Sequence, residues 1–369
     1  MINPRFELLL AALGALATAA PFPALAAPDY GVKGSEPTTT TDLPAGTLGT
    51  TGSKLVVPGG AGPYPVLVTS HGFSASSANQ LGWAEHFASW GFVVAVPSFP
   101  NSFMPDTDKN ASIIEGLVGH VRSQIPKADV SRVGLEGHSA GGLATTVAAA
   151  KMKPQAVVLF DPVDRDDRGK AAYATLCSPV LALFAQPGAC NNQAGWKAFA
   201  GTTPGPLVAV NVVGATHCDG ENAARGLCPL GCQSAAADAG RQRVHARYAT
   251  ALFLARLKGD AVAAGTLTAV ALSADPQLAS PLVQGGVECA PVTPPPDAGV
   301  VPSDAGVVND SGSTAPPVSV PEGGPVDAAA AGAVDVGPSG CSAAPARGEA
   351  GALAALALAL TAVLRRRRG

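Results

Sequence analysis

The sequence predicts an α/β fold in which a mostly parallel central sheet is flanked by helices. Three observations carry this. Short apolar runs alternate with helix-period runs from about residue 53 to 258. The runs Val66–Ser70, Phe92–Val96, Val133–Glu136, Ala156–Phe160, Val180–Phe184 and Leu207–Val213 are apolar without a polar face, as buried parallel strands are. One strand–turn–helix junction, Gly137-His138-Ser139-Ala140-Gly141-Gly142, sits in the middle of this order.

Taken in chain order, residues 1–27 have the pattern of a secretory signal. Arg5 is the positive end, Leu8 to Ala20 the apolar stretch, and Ala24-Leu25-Ala26 a small-x-small cleavage site. Residues 28–52 are rich in Gly, Thr and Pro and read as extended or loosely paired strands, and Lys54–Val57 as a strand. Leu81–Trp90 is amphipathic, and Ser112–Gln124 repeats Ile113, Ile114, Leu117 and Val121 on one helical face. An Ala-rich helix is expected over Leu143 to Met152, and a long closing helix over Ala236–Leu257. Residues 259–289 form a mildly apolar extension ending at Cys289. From 290 to 340 the chain is Pro, Ala, Gly, Val and Asp without an aromatic residue, too poor in apolar surface to offset its ordering entropy. Residues 341–369 comprise Cys341, the uncharged run Ala350–Leu364 and four arginines. That run is short for a spanning helix, and its flanking arginines fit the positive-inside pattern of an anchor. The expected division is therefore a signal over 1–27, a folded body over 28–289, a spacer over 290–340 and a sorting or anchoring segment over 341–369.

Composition narrows the function classes. The chain is 47% apolar and 14% charged, with a net charge of −3. Setting aside Arg5, Arg347, Arg365, Arg366, Arg367 and Arg368 with Glu7 and Glu349 takes this to −7. No basic face is visible for a nucleic acid, and the membrane is reached only through the tail. A monomeric, exported protein at the cell surface or outside it is expected. Cys177, Cys190, Cys218, Cys228, Cys232 and Cys289 are an even set in the body, which export turns into disulfides of undetermined pairing. No metal site and no cofactor are expected.

The chemistry centres on Ser139. In the pattern G-x-S-x-G between a strand and a helix, a sharp turn holds the serine hydroxyl clear of the sheet, with the next helix N-terminus facing it. A serine hydroxyl needs a histidine base, and the histidine needs a carboxylate to fix its tautomer. Only His217 and His245 follow the elbow. His217 lies just past the strand Leu207–Val213 in a small-residue loop, whereas His245 falls inside the closing helix. The strand Val180–Phe184 is followed by Ala185-Gln186-Pro187-Gly188-Ala189-Cys190-Asn191-Asn192, without a carboxylate. One strand earlier, Asp161 stands directly at a strand end and is the expected acid, with Asp164 the alternative. The oxyanion hole is assigned to the backbone N–H groups of Ala140 and Phe73. Phe73, Trp83 and Phe99 are the expected walls of the substrate pocket.

From about residue 60 to 258 the chain resembles the α/β-hydrolase branch of chlorophyllases, PET-hydrolase-like (cutinase-like) polyester hydrolases and platelet-activating-factor acetylhydrolases. Ser70-His71-Gly72-Phe73-Ser74-Ala75 with Phe87-Ala88-Ser89-Trp90-Gly91-Phe92-Val93-Val94 resembles the oxyanion segment and its successor in the polyester hydrolases. The elbow is similar to that of chlorophyllases, which usually carries Arg where Ala140 stands. Asp161-Pro162-Val163 resembles the chlorophyllase acid motif, and Gly214-Ala215-Thr216-His217 the Gly-x-x-His of polyester hydrolases. Gly340-Cys341-Ser342, the apolar run and the arginines resemble a MYXO-CTERM sorting tail, which implies processing and attachment at Cys341. Together these imply a serine carboxylester hydrolase acting on a polyester, cutin or lipid ester, or another ester with apolar parts. The alternative from another class is a non-catalytic surface-binding module.

Overall fold

The computed structural model describes residues 28–191, 201–222 and 228–290. The expected signal and tail lie outside these residues, as does the spacer save for Ala290. Nine strands form one sheet in the order β1-β2-β4-β3-β5-β6-β7-β8-β9. They are β1 (Thr38–Asp42), β2 (Lys54–Pro58), β3 (Tyr64–Ser70), β4 (Val93–Val96), β5 (Ala128–His138), β6 (Ala156–Phe160), β7 (Val180–Phe184), β8 (Leu207–Val212) and β9 (Leu278–Gln284). The central strands β4, β3, β5, β6, β7 and β8 are mutually parallel. Antiparallel pairs close both edges, β1 and β2 on one side and β9 on the other.

The helices follow from the same patterning. Helix α1 (Leu81–Ser89), α2 (Thr107–Gln124), α3 (Ser139–Met152), the short α4 (Arg168–Tyr173) and α5 (Ala239–Lys258) cover the sheet. α2 begins six residues before the apolar face starts, because the Asp106 side chain accepts the Lys109 N–H and caps it. Trp83 and Phe87 of α1 pack with Phe253 of α5 and Phe160 of β6 on one face. On the other, Ile113, Ile114 and Leu117 of α2 pack with Ala144 and Ala148 of α3 against Val68 and Leu135. Among the described residues no helix is long and apolar enough to cross a membrane.

Two regions differ from expectation. Residues 259–289 form two short helices and the edge strand β9, tied to the body by the Cys177–Cys289 disulfide. Pro281 is tolerated in β9 because an edge strand has one unpaired side. β5 begins at Ala128, five residues before the apolar run, because Ala128 and Asp129 pair with Tyr64 and Pro65 ahead of an irregularity that leads to Val133.

Candidate active site

The strand order places the carboxyl ends of β5, β6 and β8 along one edge, and the chemistry-bearing residues leave from those ends. β5 passes directly into α3 at Ser139, which sits at φ 55°, the strained left-handed turn a nucleophile elbow requires. The small neighbours are obligatory. A Cβ on Gly137 would lie 2.4 Å from Thr145 Oγ1, and one on Gly141 would lie 2.3 Å from the carbonyl oxygen of His71. A Cβ on Gly142 would meet Pro162 at 2.8 Å, so the Asp161-Pro162 turn also packs on the elbow.

His217 enters from the turn after β8. Its Nε2 stands 2.9 Å from Ser139 Oγ, and its Nδ1 2.6 Å from Asp161 Oδ2. All three residues are buried. Asp161 Oδ1 accepts the Ala185 N–H at 3.0 Å, and Oδ2 also accepts from Asn191 Nδ2 at 2.7 Å. The assembled chain of groups can pass a proton from a serine hydroxyl to an imidazole whose other nitrogen is held by a carboxylate. Asp164 is engaged elsewhere: its two oxygens accept the Gly169 and Lys170 N–H groups at the start of α4. Asp219, beside His217, closes its own loop through the Thr216 N–H and pairs with Arg241 at 2.6 Å.

The turn bearing His217 is held from several sides. Trp83 Nε1 donates to the Gly220 carbonyl at 2.9 Å. His138 Nε2 donates to the His217 carbonyl at 2.8 Å, and the two rings lie 4.7 Å apart. Burial, with the His217 ring beside it, holds His138 well below the ordinary imidazole range, so it is a neutral donor. The sequence singled out neither His138 nor Asn191; His138 lies inside the elbow motif and Asn191 in the loop without a carboxylate.

The pocket walls need correction. Trp83 is fully buried in the core, where its ring packs 5.0 Å from Phe160. Phe99 is also buried, 4.9 Å from the His71 ring. Its backbone N–H donates to His71 Nε2 at 2.9 Å while His71 Nδ1 donates to the Gly72 carbonyl. Burial lowers the pKa of His71 to about 4, which keeps that bridge neutral. In sequence, an aromatic side chain turned into the core has the same spacing as one turned toward a pocket. Phe73 is different: it is 56% exposed, with its ring edge-on to exposed Phe103 at 6.1 Å. A Cβ on Gly72 would lie 2.9 Å from Ser139 Cβ, so the backbone entering Phe73 runs against the serine. Ala140 is the first residue after Ser139 in α3, where helix N–H groups have no intrahelical partner.

The cysteines pair as Cys177–Cys289, Cys190–Cys232 and Cys218–Cys228. Cys190, His217 and Cys232 bring ligand-type atoms within 4.8 Å of one another, as do Cys218, Cys228 and Cys232. The sulfurs in both groups are consumed in disulfides, so their donor set does not suit a metal.

The chlorophyllase family model matches residues 42–187, a span that contains Ser139 and Asp161 and ends before His217. Chlorophyllase-1, chloroplastic, of Citrus sinensis is 32% identical over 117 residues, covering 30% of this chain and 36% of the relative. The Citrus unshiu protein of the same name is 31% identical over a stretch of equal length. Chlorophyllase-2 of Arabidopsis thaliana is 28% identical over 137 residues, covering 33% of this chain and 42% of the relative. The chain thus spans between about a third and two fifths of the curated relatives it matches. The largely parallel nine-stranded sheet with helices around it is the α/β-hydrolase fold, and over residues 42–187 the chain is similar to chlorophyllases.

Proposed function

We propose that the chain is a serine carboxylester hydrolase in which Ser139 is the nucleophile, His217 the general base and Asp161 its acid partner. The observation that carries the reading is the unbroken line of contacts from Ser139 Oγ through the His217 ring to Asp161, at 2.9 and 2.6 Å. Similarity to chlorophyllases supports ester hydrolysis as the reaction class.

In this reading Ser139 Oγ attacks the carbonyl carbon as its proton passes to His217 Nε2. The backbone N–H groups of Ala140 and Phe73 receive the charge on the carbonyl oxygen. The bond to the alcohol then breaks, and the departing oxygen takes the proton from His217. Water attacks the acyl-enzyme and gives a proton to His217, which returns it to Ser139 as the acid leaves. Asp161 keeps the proton on Nδ1, so that Nε2 is free to accept.

The substrate class follows from the rim. Phe73, whose backbone runs against the serine, and Phe103 edge-on to it are 56% and 60% exposed, an apolar margin that favours an ester with apolar acyl or alcohol parts. That margin suits a lipid ester or a polyester as well as a small ester. The body's three disulfides support an oxidising, exported setting, with the signal, spacer and tail as proposed from sequence.

The test is turnover of a p-nitrophenyl ester series from acetate to palmitate, with a polyester film beside it, by the full chain and by Ser139→Ala. The expected result is hydrolysis favouring the longer acyl chains, and loss of about 10³-fold or more in Ser139→Ala. Absence of turnover across the series would leave the fold as a binding module, and equal turnover by Ser139→Ala would reject the nucleophile.

A further inference from the structure

Asp161 meets more than its histidine. Its Oδ2, the oxygen that faces His217 Nδ1, also accepts Asn191 Nδ2 at 2.7 Å. Asn191 is itself fixed at both ends of its amide. Nδ2 donates to the Gln186 carbonyl at 2.9 Å as well, and Oδ1 accepts the Gly188 N–H at 2.5 Å. The preceding residue, Cys190, is bonded to Cys232. Cys232 Sγ lies 3.7 Å from Cys228 Sγ, and Cys228 is bonded to Cys218, the residue after His217. The loop that reaches the acid and the loop that carries the base therefore meet at two adjacent disulfides.

From this we propose that Asn191 is a positioning residue for the reaction: its amide fixes the Asp161 carboxylate so that Oδ2 is presented to His217, and the Cys190–Cys232 disulfide holds that amide in place. This rests on the esterase reading above. The physical reason is rotational. The Ala185 N–H anchors Oδ1, and without Asn191 the hold on Oδ2 would be the His217 ring, the group that the carboxylate has to position. A second donor at Oδ2 closes the arc. β7 ends without a carboxylate, and the loop that follows it supplies a donor to the carboxylate of the neighbouring strand.

The test uses the full chain with Asn191→Ala and Asn191→Asp. It measures kcat and KM for p-nitrophenyl butyrate, thermal stability, and the downfield proton resonance of the His217 Nδ1–H. In Asn191→Ala, kcat is expected to fall roughly tenfold with KM nearly unchanged, from the loss of one charge-assisted hydrogen bond. Asn191→Asp retains an acceptor for the Gly188 N–H but places a second carboxylate against Asp161, and the pair must then share a proton. Its kcat is expected to fall at least as far, and the resonance to shift in both variants. Wild-type kcat and an unshifted resonance in Asn191→Asp would show that Asn191 only braces its loop, and would overturn the proposal. Should the wild-type chain turn over no ester, the esterase reading fails by itself. The resonance then decides alone: a shift in both variants supports the clamp, and an unchanged line rejects it.

Discussion

Asp161→Asn lowers kcat for ester hydrolysis by roughly 10⁴-fold while leaving the fold and KM nearly intact. The reason lies in which end of the new amide faces the histidine. The Ala185 N–H donates to Oδ1 and Asn191 Nδ2 to Oδ2, so either setting of the new amide turns its NH₂ against a donor; with its oxygen on the main-chain N–H, the NH₂ takes the place of Oδ2. His217 Nδ1 then faces a donor and must become the acceptor, which moves the ring proton to Nε2. From there it points at Ser139 Oγ, and the imidazole can no longer take the serine proton. Asp164→Asn is the control, because that carboxylate caps α4 and has no contact with His217. It keeps one of the two acceptors at the start of α4 and leaves kcat unchanged. A fall in kcat of less than about threefold in Asp161→Asn would remove this residue from the mechanism.

Glu136→Leu raises thermal stability, and by more as the pH rises. Glu136 lies on β5, fully buried, and neither of its carboxyl oxygens has a hydrogen-bond partner among the described residues. Burial pushes its pKa well above the ordinary carboxylate range. The folded protein therefore keeps this acid protonated where the unfolded chain releases the proton. Below about pH 4.5 both states are protonated, and the cost is only that of an unpaired neutral group, about 1–3 kcal/mol. Above that pH the unfolded state alone gains by ionising, so the wild type loses stability until the folded-state pKa is reached. A leucine of similar volume removes both costs. The expected gain at neutral pH is several degrees in Tm, since each kcal/mol moves a domain of this size by about 2–4 °C. A gain that stayed constant between pH 4 and 8, or a loss, would show that Glu136 is charged and paired in the folded protein.

Much of this architecture is legible in the residues. The order of the parallel strands follows from short apolar runs without a polar face, since those runs have no other stable place than a sheet covered on both sides. Ser139 is legible because the elbow needs glycines at defined offsets, and His217 because few histidines compete. Asp161 stands out because the later strand ends without a carboxylate. What sequence does not carry is direction and distance across the fold. Trp83 and Phe99 show aromatic character but not the side of the backbone they leave from, and both turn into the core. The disulfide pairing and the reach of Asn191 to Asp161 join loops far apart in the chain, with no local signature. Pro281 hides β9, because a proline argues against a central strand while an edge strand accepts it.

The most direct measurement is the site of covalent labelling by a p-nitrophenyl phosphonate, read by intact mass and peptide mapping of the full chain. One phosphonyl group on Ser139, released p-nitrophenol in equal amount, and no labelling in His217→Ala is the outcome expected of an activated serine. Labelling at another residue, or none, would contradict the assignment of Ser139 as the nucleophile.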